Sequence, residues 1–147
     1  YLSQSVDSKG SNPLDPDRKL YYAKKMFPSF AKHFRSGPKD PVAILKELQT
    51  EGYDDAMFVV GSDRVQAMKW VKNYNGKDFF FRKLDVISSG DRDADGDTFA
   101  ISGTKMRRAA VANDFDTFRK GIPKGLNDKD TRKMMEEIQS NMPKLYK

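Results

Sequence analysis

The sequence predicts an α/β fold, a doubly wound parallel sheet with helices on both faces. Three observations predict it. Strand-like and helix-like segments alternate at the spacing of βαβ units. The run "DAMFVVGSD" (residues 55–63) carries Ala, Met, Phe, Val and Val in succession, apolar on both faces as a central parallel strand requires. Helix starts are marked by Asp-Pro pairs, where Asp can cap the free amides and Pro fits the first helical position.

Taken in order, "YLSQS" (residues 1–5) reads as the end of a buried strand. Residues 6–16 form a loop by composition, with Gly, two Pro and several Asx or Ser residues. Asp15 and Pro16 open a helix in which Leu20, Ala23, Met26 and Phe27 recur at helical spacing, and Pro28 stops it. "AKHFRS" (residues 31–36) is a weak strand candidate. Asp40 and Pro41 repeat the cap signature before an amphipathic helix that Gly52 ends. After the strand at 55–63, residues 64–73 form a helix with Val65, Met68 and either Trp70 or Val71 inward. Residues 79–89 are strand-like, "GDRDADGD" is an acidic loop, and "TFAIS" is a short strand. Helices follow from Gly103, over residues 114–123, and over residues 127–142. The whole reads as one α/β domain over residues 1–125 with a helical extension of the same domain over 126–147.

The chain has 147 residues, enough for one domain. Lys and Arg outnumber Asp and Glu by 27 to 21, a formal net charge of +6. The excess suits an anionic partner such as a nucleotide. There is no cysteine, which excludes disulfides and thiolate metal sites and is neutral to weakly favourable for a reducing compartment. No run approaches the roughly 18 apolar residues of a membrane span. The run "FFF" beside Arg82 and Lys83 reads as an inner strand rather than a nucleic-acid surface. No RNP, zinc or helix-turn-helix pattern supports nucleic-acid binding.

The chemistry concentrates in "FAISGTKMRRA" (residues 99–109). A helix N-terminus exposes unpaired N–H groups and carries partial positive charge. Gly103 lets an anion approach the backbone. Ser102 and Thr104 add hydroxyls, and Lys105, Arg107 and Arg108 add full charges. Together they compose a phosphate cradle, although Ser or Thr ahead of a helix is also an ordinary cap.

The segment "ISGTKMR" resembles the ISxTxxR signature of the HxGH-type nucleotidyltransferases, which include nicotinamide-nucleotide and phosphopantetheine adenylyltransferases. The Ser-Gly-Thr version is most similar to the archaeal-type and phage-encoded nicotinamide-nucleotide adenylyltransferases. "NPLDPDRKLYYAKKMFP" is similar to their Asn-Pro-Phe…Arg segment, and "FVVGSD" to their fourth-strand region, in the same order along the chain. The resemblance implies a Rossmann-like sheet of the nucleotidyltransferase type and a cytoplasmic enzyme, often oligomeric. It would transfer AMP from ATP, with Mg²⁺, to a phosphorylated acceptor such as nicotinamide mononucleotide. It implies that Ser102, Gly103, Thr104 and Arg107 bind the triphosphate, with Arg107 and Lys105 stabilising the reacting phosphates. Gly61 and Asp63 would line the adenosine or acceptor side, with Asp63 also a candidate N-cap. Asn12 and Arg18 would close over the nucleotides, although Arg18 also suits a solvated helix face.

Three departures shape the expectation. The HxGH motif is absent. The single histidine, His33, has no glycine-histidine partner and reads as a surface or structural residue. The start within a strand-like segment suggests a missing first strand and crossover of roughly thirty residues, the alternative being a nucleotide-binding or structural domain without catalysis. The aromatic residue that stacks on nicotinamide in the archaeal-type enzymes is not found after "AKHFRS", which leaves phosphopantetheine or cytidylyl transfer as alternatives. "DRDADGD" matches the opening of a calcium loop, but its twelfth position is Ser102 rather than Glu, so it reads as an acidic loop without a metal.

Overall fold

The computed structural model describes residues 1–7, 9–38, 40–90 and 101–143. The chain divides into two compact units, one of Tyr1–Gly37 with Ile101–Lys147 and one of Pro38–Ala100. The expected acidic loop and most of the short strand before Ser102 lie outside the described residues. Among the described residues, no helix is long and apolar enough to cross a membrane.

The second unit holds the sheet. Helix α2 (Pro41–Thr50) starts where expected, with Asp40 Oδ1 accepting from the Val42 N–H at 2.9 Å and Pro41 in the first turn. It ends before Gly52, whose φ of 97° suits glycine at a helix terminus. Strand β1 (Asp55–Val60) pairs in parallel with β2 (Lys83–Ser88), Asp55 opposite Lys83 and Val60 opposite Ser88. Leu45, Val71, Phe79, Phe81, Leu84 and Val86 form the core beneath.

The unit is therefore mixed α/β with two parallel strands, and it departs from the expectation at three points. First, β1 is apolar on both faces but packed on one: Ala56, Phe58 and Val60 face the core, while Met57 and Val59 are each 58% exposed. Second, the helix expected over 64–73 is mostly 3-10. A turn at Ser62–Arg64 leads into α3 (Val65–Met68), and a 3-10 segment follows over Lys69–Tyr74. The inward residues Val65, Met68 and Val71 are spaced by three, the 3-10 period, which explains the tighter winding. Trp70 consequently stays outside, 40% exposed, with its ring edge-on to Tyr74. Third, residues 79–82 do not join the strand. The Asn75 side chain accepts from the Phe81 N–H at 2.8 Å and donates to the Phe81 carbonyl at 3.0 Å. Gln49 Oε1 accepts from the Phe80 N–H. Side-chain amides thus take the hydrogen bonds a ladder would have supplied to Phe80 and Phe81, the Arg82 N–H donates to the Asp54 carbonyl, and Phe79 and Phe81 turn inward.

The first unit is helical. Helix α1 (Pro16–Met26) opens on Pro16 as expected, although the Asp15 side chain makes no capping bond. After Pro28 the chain winds into a 3-10 segment, Pro28–His33, in place of the strand expected at 31–36. Residues 1–5 are likewise not a buried strand: Tyr1 is 43% exposed, and Leu2 makes a single parallel bridge to Ser36. Ser3 and Gln4 are exposed, so the segment has no alternating apolar face to bury. His33 is exposed.

Helices α4 (Gly103–Val111), α5 (Phe115–Lys120) and α6 (Asp128–Asn141) pack on one another. Each opens on a side-chain cap: Ser102 for α4, Asp114 for α5 and Asn127 for α6. In α6 the buried residues Thr131, Met135 and Ile138 fall on one helical stripe. They join Tyr22, Ala109, Ala110, Phe118, Leu126 and others in the unit's core.

A polar network fastens α1 to α6. Arg18 reaches Glu137 through two nitrogens, at 2.8 and 3.2 Å. The Tyr22 hydroxyl, on a side chain 1% exposed, donates to Glu137 Oε2 at 2.8 Å and accepts from Arg18. Burial first, and then the Glu137 carboxylate, push the Tyr22 phenol up to about 12. A phenol holding its proton more tightly when folded stabilises the fold fully below the unfolded value near 10.0, and that contribution is lost as pH rises toward 12. Chemical-denaturation curves between pH 9 and about 12 should therefore show stability falling more steeply in the wild type than in Tyr22→Phe. Equal slopes would mean that Tyr22 does not carry the effect.

Candidate functional site: a cationic cleft beside the start of α4

Helix α4 begins at Gly103 because Ser102 has extended backbone and its Oγ accepts from the Lys105 N–H at 3.2 Å. That leaves the Gly103 and Thr104 amides at the helix end, where no group among the described residues accepts from them. Helix α4 has no acidic residue in its first turn. Arg107 lies one turn on, the i+4 neighbour of Gly103. Its guanidinium donates to the Ser11 carbonyl at 3.2 Å and to Thr104 Oγ1 at 3.3 Å. A Cβ built on Gly103 would lie 2.9 Å from Arg107 Nη1, so the guanidinium sits over the first helical turn. A full positive charge and the positive end of the helix therefore share one place.

Beside them opens a cleft of about 500 Å³. Lys9, Ser11, Thr104, Arg107 and Arg108 supply its polar wall. Gly10, Val111, Ala112 and Met142 supply the remainder. The loop carrying Lys9 and Ser11 is organised by Asp7. Its Oδ1 accepts from the Lys9 and Ser11 amides at 2.9 and 3.0 Å, and its Oδ2 accepts from Asn12 Nδ2 at 2.7 Å. The Asn12 bond, aided by backbone amides, holds the Asp7 carboxyl below its ordinary value. Gly10 takes φ 84° and lies against Met142 and Pro143.

Of the residues expected from sequence, Thr104 and Arg107 line this cleft, and Ser102 and Gly103 build the helix start next to it. Lys105 is exposed on another side of α4, along a shallower depression with Asp114 and Thr117. Asn12 follows Ser11 and bonds Asp7 within the loop that borders the cleft, while Arg18 bonds Glu137 and stacks on Tyr21 at 4.4 Å. Gly61 and Asp63 belong to the second unit, at the turn after β1. There α3 has Arg64 as its N-cap residue, so Asp63 lies within the preceding turn rather than capping the helix. Sequence reasoning passed over Lys9, Ser11 and Met142 as cleft residues, whereas Arg108, counted among the cradle's cations, does line it. The Asp-x-Lys-Gly-Ser-Asn run was a readable signal for the first of these, since Asp folds such loops by accepting from amides two and four residues on.

Gly103→Ala separates geometry from stability. Alanine suits the first turn of a helix, but its Cβ would displace Arg107 Nη1. Thermal stability should stay within about 0.5 kcal/mol of wild type, while binding of pyrophosphate, used as a probe of whether the cleft takes a polyanion, should fall several-fold. Unchanged affinity would show that the position of the guanidinium over the first turn does not matter.

Comparison of the chain with known protein families, with curated proteins and with solved structures finds no match.

Proposed function

We propose that the cleft beside α4 holds the polyphosphate of a nucleotide, and that the protein transfers AMP from ATP to a phosphorylated acceptor, with nicotinamide mononucleotide the first candidate. The observation that carries the reading is the convergence of Lys9, Thr104, Arg107 and Arg108 on one cleft that runs along α4 from beside its amide end. Backbone N–H groups, a hydroxyl and guanidinium groups are the donors that phosphate oxygens accept from. The resemblance of "ISGTKMR" to the nucleotidyltransferase signature points to the same residues.

In this reaction an oxygen of the acceptor phosphate attacks the α-phosphorus of ATP, and the bond to the β-phosphate oxygen breaks. Pyrophosphate leaves with the electron pair, and Mg²⁺ enters on the phosphates as part of the substrate. Little proton transfer is needed, so positioning and charge stabilisation supply the rate. Arg107 would hold the leaving phosphates, and Thr104 with the Gly103 and Thr104 amides would orient them; Lys105, on another side of α4, would add positive charge without touching them.

A second reading is a domain that binds nucleotides, or serves in assembly, without catalysis. It is favoured by one observation: the chain's single histidine, His33, is exposed and has no glycine-histidine partner. Pyrophosphate release separates the two. The full-length protein, given Mg²⁺-ATP and a panel of nicotinamide mononucleotide, phosphopantetheine and other phosphate esters, should release pyrophosphate with one acceptor. ATP binding without release under any acceptor would favour the second reading, and absence of ATP binding would overturn both.

A further inference from the structure

The cleft beside α4 is cationic along only part of its length. Thr104 and Arg107 lie within the first five residues of the helix and Arg108 follows in its last turn, whereas Val111 ends the helix, Ala112 caps it, and Met142 comes from the end of α6. From Thr104 to Ala112 the wall runs about 12 Å at the helical rise. The step from Arg107 to Val111 and Ala112 is roughly 6–8 Å. Ala112 is exposed, and Val111 is half-buried with one side packed against the core, so the apolar surface they leave uncovered lines the cleft. Met142, 6% exposed, closes this end with a polarisable side chain that adapts to varied shapes. A volume of about 500 Å³ exceeds what a phosphate or pyrophosphate alone would fill, and a mostly apolar pocket with a few convergent polar groups is the usual form of an organic ligand site.

We infer that the cleft takes an amphiphilic phosphate ester, with its phosphate among Lys9, Arg107 and Arg108 and an apolar organic group against Val111, Ala112 and Met142. The inference rests on the polyphosphate reading above and deepens it by naming the class of the bound molecule. It sets the cleft apart from a bare anion site, because part of the affinity comes from carbon.

Isothermal titration of the protein with pyrophosphate and with methyl, butyl and hexyl phosphate tests it, together with Ala112→Gln. Position 112 is exposed, so the substitution is tolerated by the fold. Each methylene that enters the cleft should tighten binding by about three- to fourfold, and the gain should level off once the chain outgrows the roughly 6–8 Å beyond Arg107. In Ala112→Gln the advantage of hexyl over methyl phosphate should shrink to less than half its wild-type value, while methyl phosphate binds as before. Pyrophosphate binding with no gain along the alkyl series, or a gain that Ala112→Gln leaves intact, would overturn this inference and leave the polyphosphate reading standing. No binding of pyrophosphate or of any ester would overturn both.

Discussion

Replacing Arg107 with alanine should weaken binding of pyrophosphate and of ATP by about 10- to 150-fold, the effect of losing a hydrogen-bonded charge worth about 1.5–3 kcal/mol. The side chain is placed for this by two features. It is the i+4 neighbour of Gly103, where the missing Cβ leaves room for the guanidinium over the first turn. It is also steadied by the Ser11 carbonyl and Thr104 Oγ1, both at the cleft. Those two bonds are exposed, so their loss should cost less than about 1 kcal/mol of stability. Calorimetric titration read beside a thermal melt separates the two quantities. A variant that melts like wild type and still binds pyrophosphate with wild-type affinity would remove Arg107 from the site. Thr104→Val should act in the same direction but less strongly, since it removes a neutral donor.

Replacing Phe118 with alanine should destabilise the protein by about 3–5 kcal/mol and lower its Tm by on the order of 10 °C. Phe118 is 0% exposed and is the buried residue of α5, a helix of six residues. So short a helix has little stability of its own. It is held by the Asp114 cap, by the packing of Phe118 into the core shared with α4 and α6, and by the Arg119–Asp128 ion pair at 2.8 Å. That pair is exposed on the Asp128 side, so it contributes little. The ring is the main attachment. Urea denaturation would read the loss directly, and a change below about 1 kcal/mol would mean that α4 and α6 pack without α5.

How much of this was legible in the sequence depended on whether the deciding interaction was local. Helices α1, α2 and α6 were readable because Asp-Pro, or Asn at the cap, announces the start and the apolar spacing announces the buried face. The parallel pairing of β1 with β2 was readable from the apolar run and the intervening helical segment. The 3-10 winding of residues 69–74 was encoded in the three-residue spacing of Val65, Met68 and Val71, but that spacing also fits an α-helix over so short a span. Residues 79–82 read as strand because three Phe residues favour one, whereas Gln49 and Asn75 take up the Phe80 and Phe81 amides, and side-chain partners of that kind leave no periodic trace. The strand expected at 31–36 gave way to the helical turn that Pro28 begins.

At the candidate site the same division holds. Thr104 and Arg107 lie in one short segment whose helical spacing places them together, so sequence sufficed. Arg18 and Asn12 were expected to meet nucleotides, and the structure shows Arg18 on Glu137 and Asn12 on Asp7. The Arg18 partner lies 119 residues away and could not be read from the neighbourhood of Arg18. Met142 closes the cleft only because the end of α6 packs beside Gly10, another long-range event.

The central claim is that the amides and side chains at the start of α4 hold phosphate. Amide nitrogen and proton shifts of the isotopically labelled protein, followed while pyrophosphate is added, test it most directly. The account predicts the largest saturable changes at Gly103, Thr104 and Lys105, with smaller ones at Lys9 and Ser11, all diminished in Arg107→Ala. Saturable changes that spare α4 and fall elsewhere on the chain, or no saturable change at millimolar pyrophosphate, would contradict it.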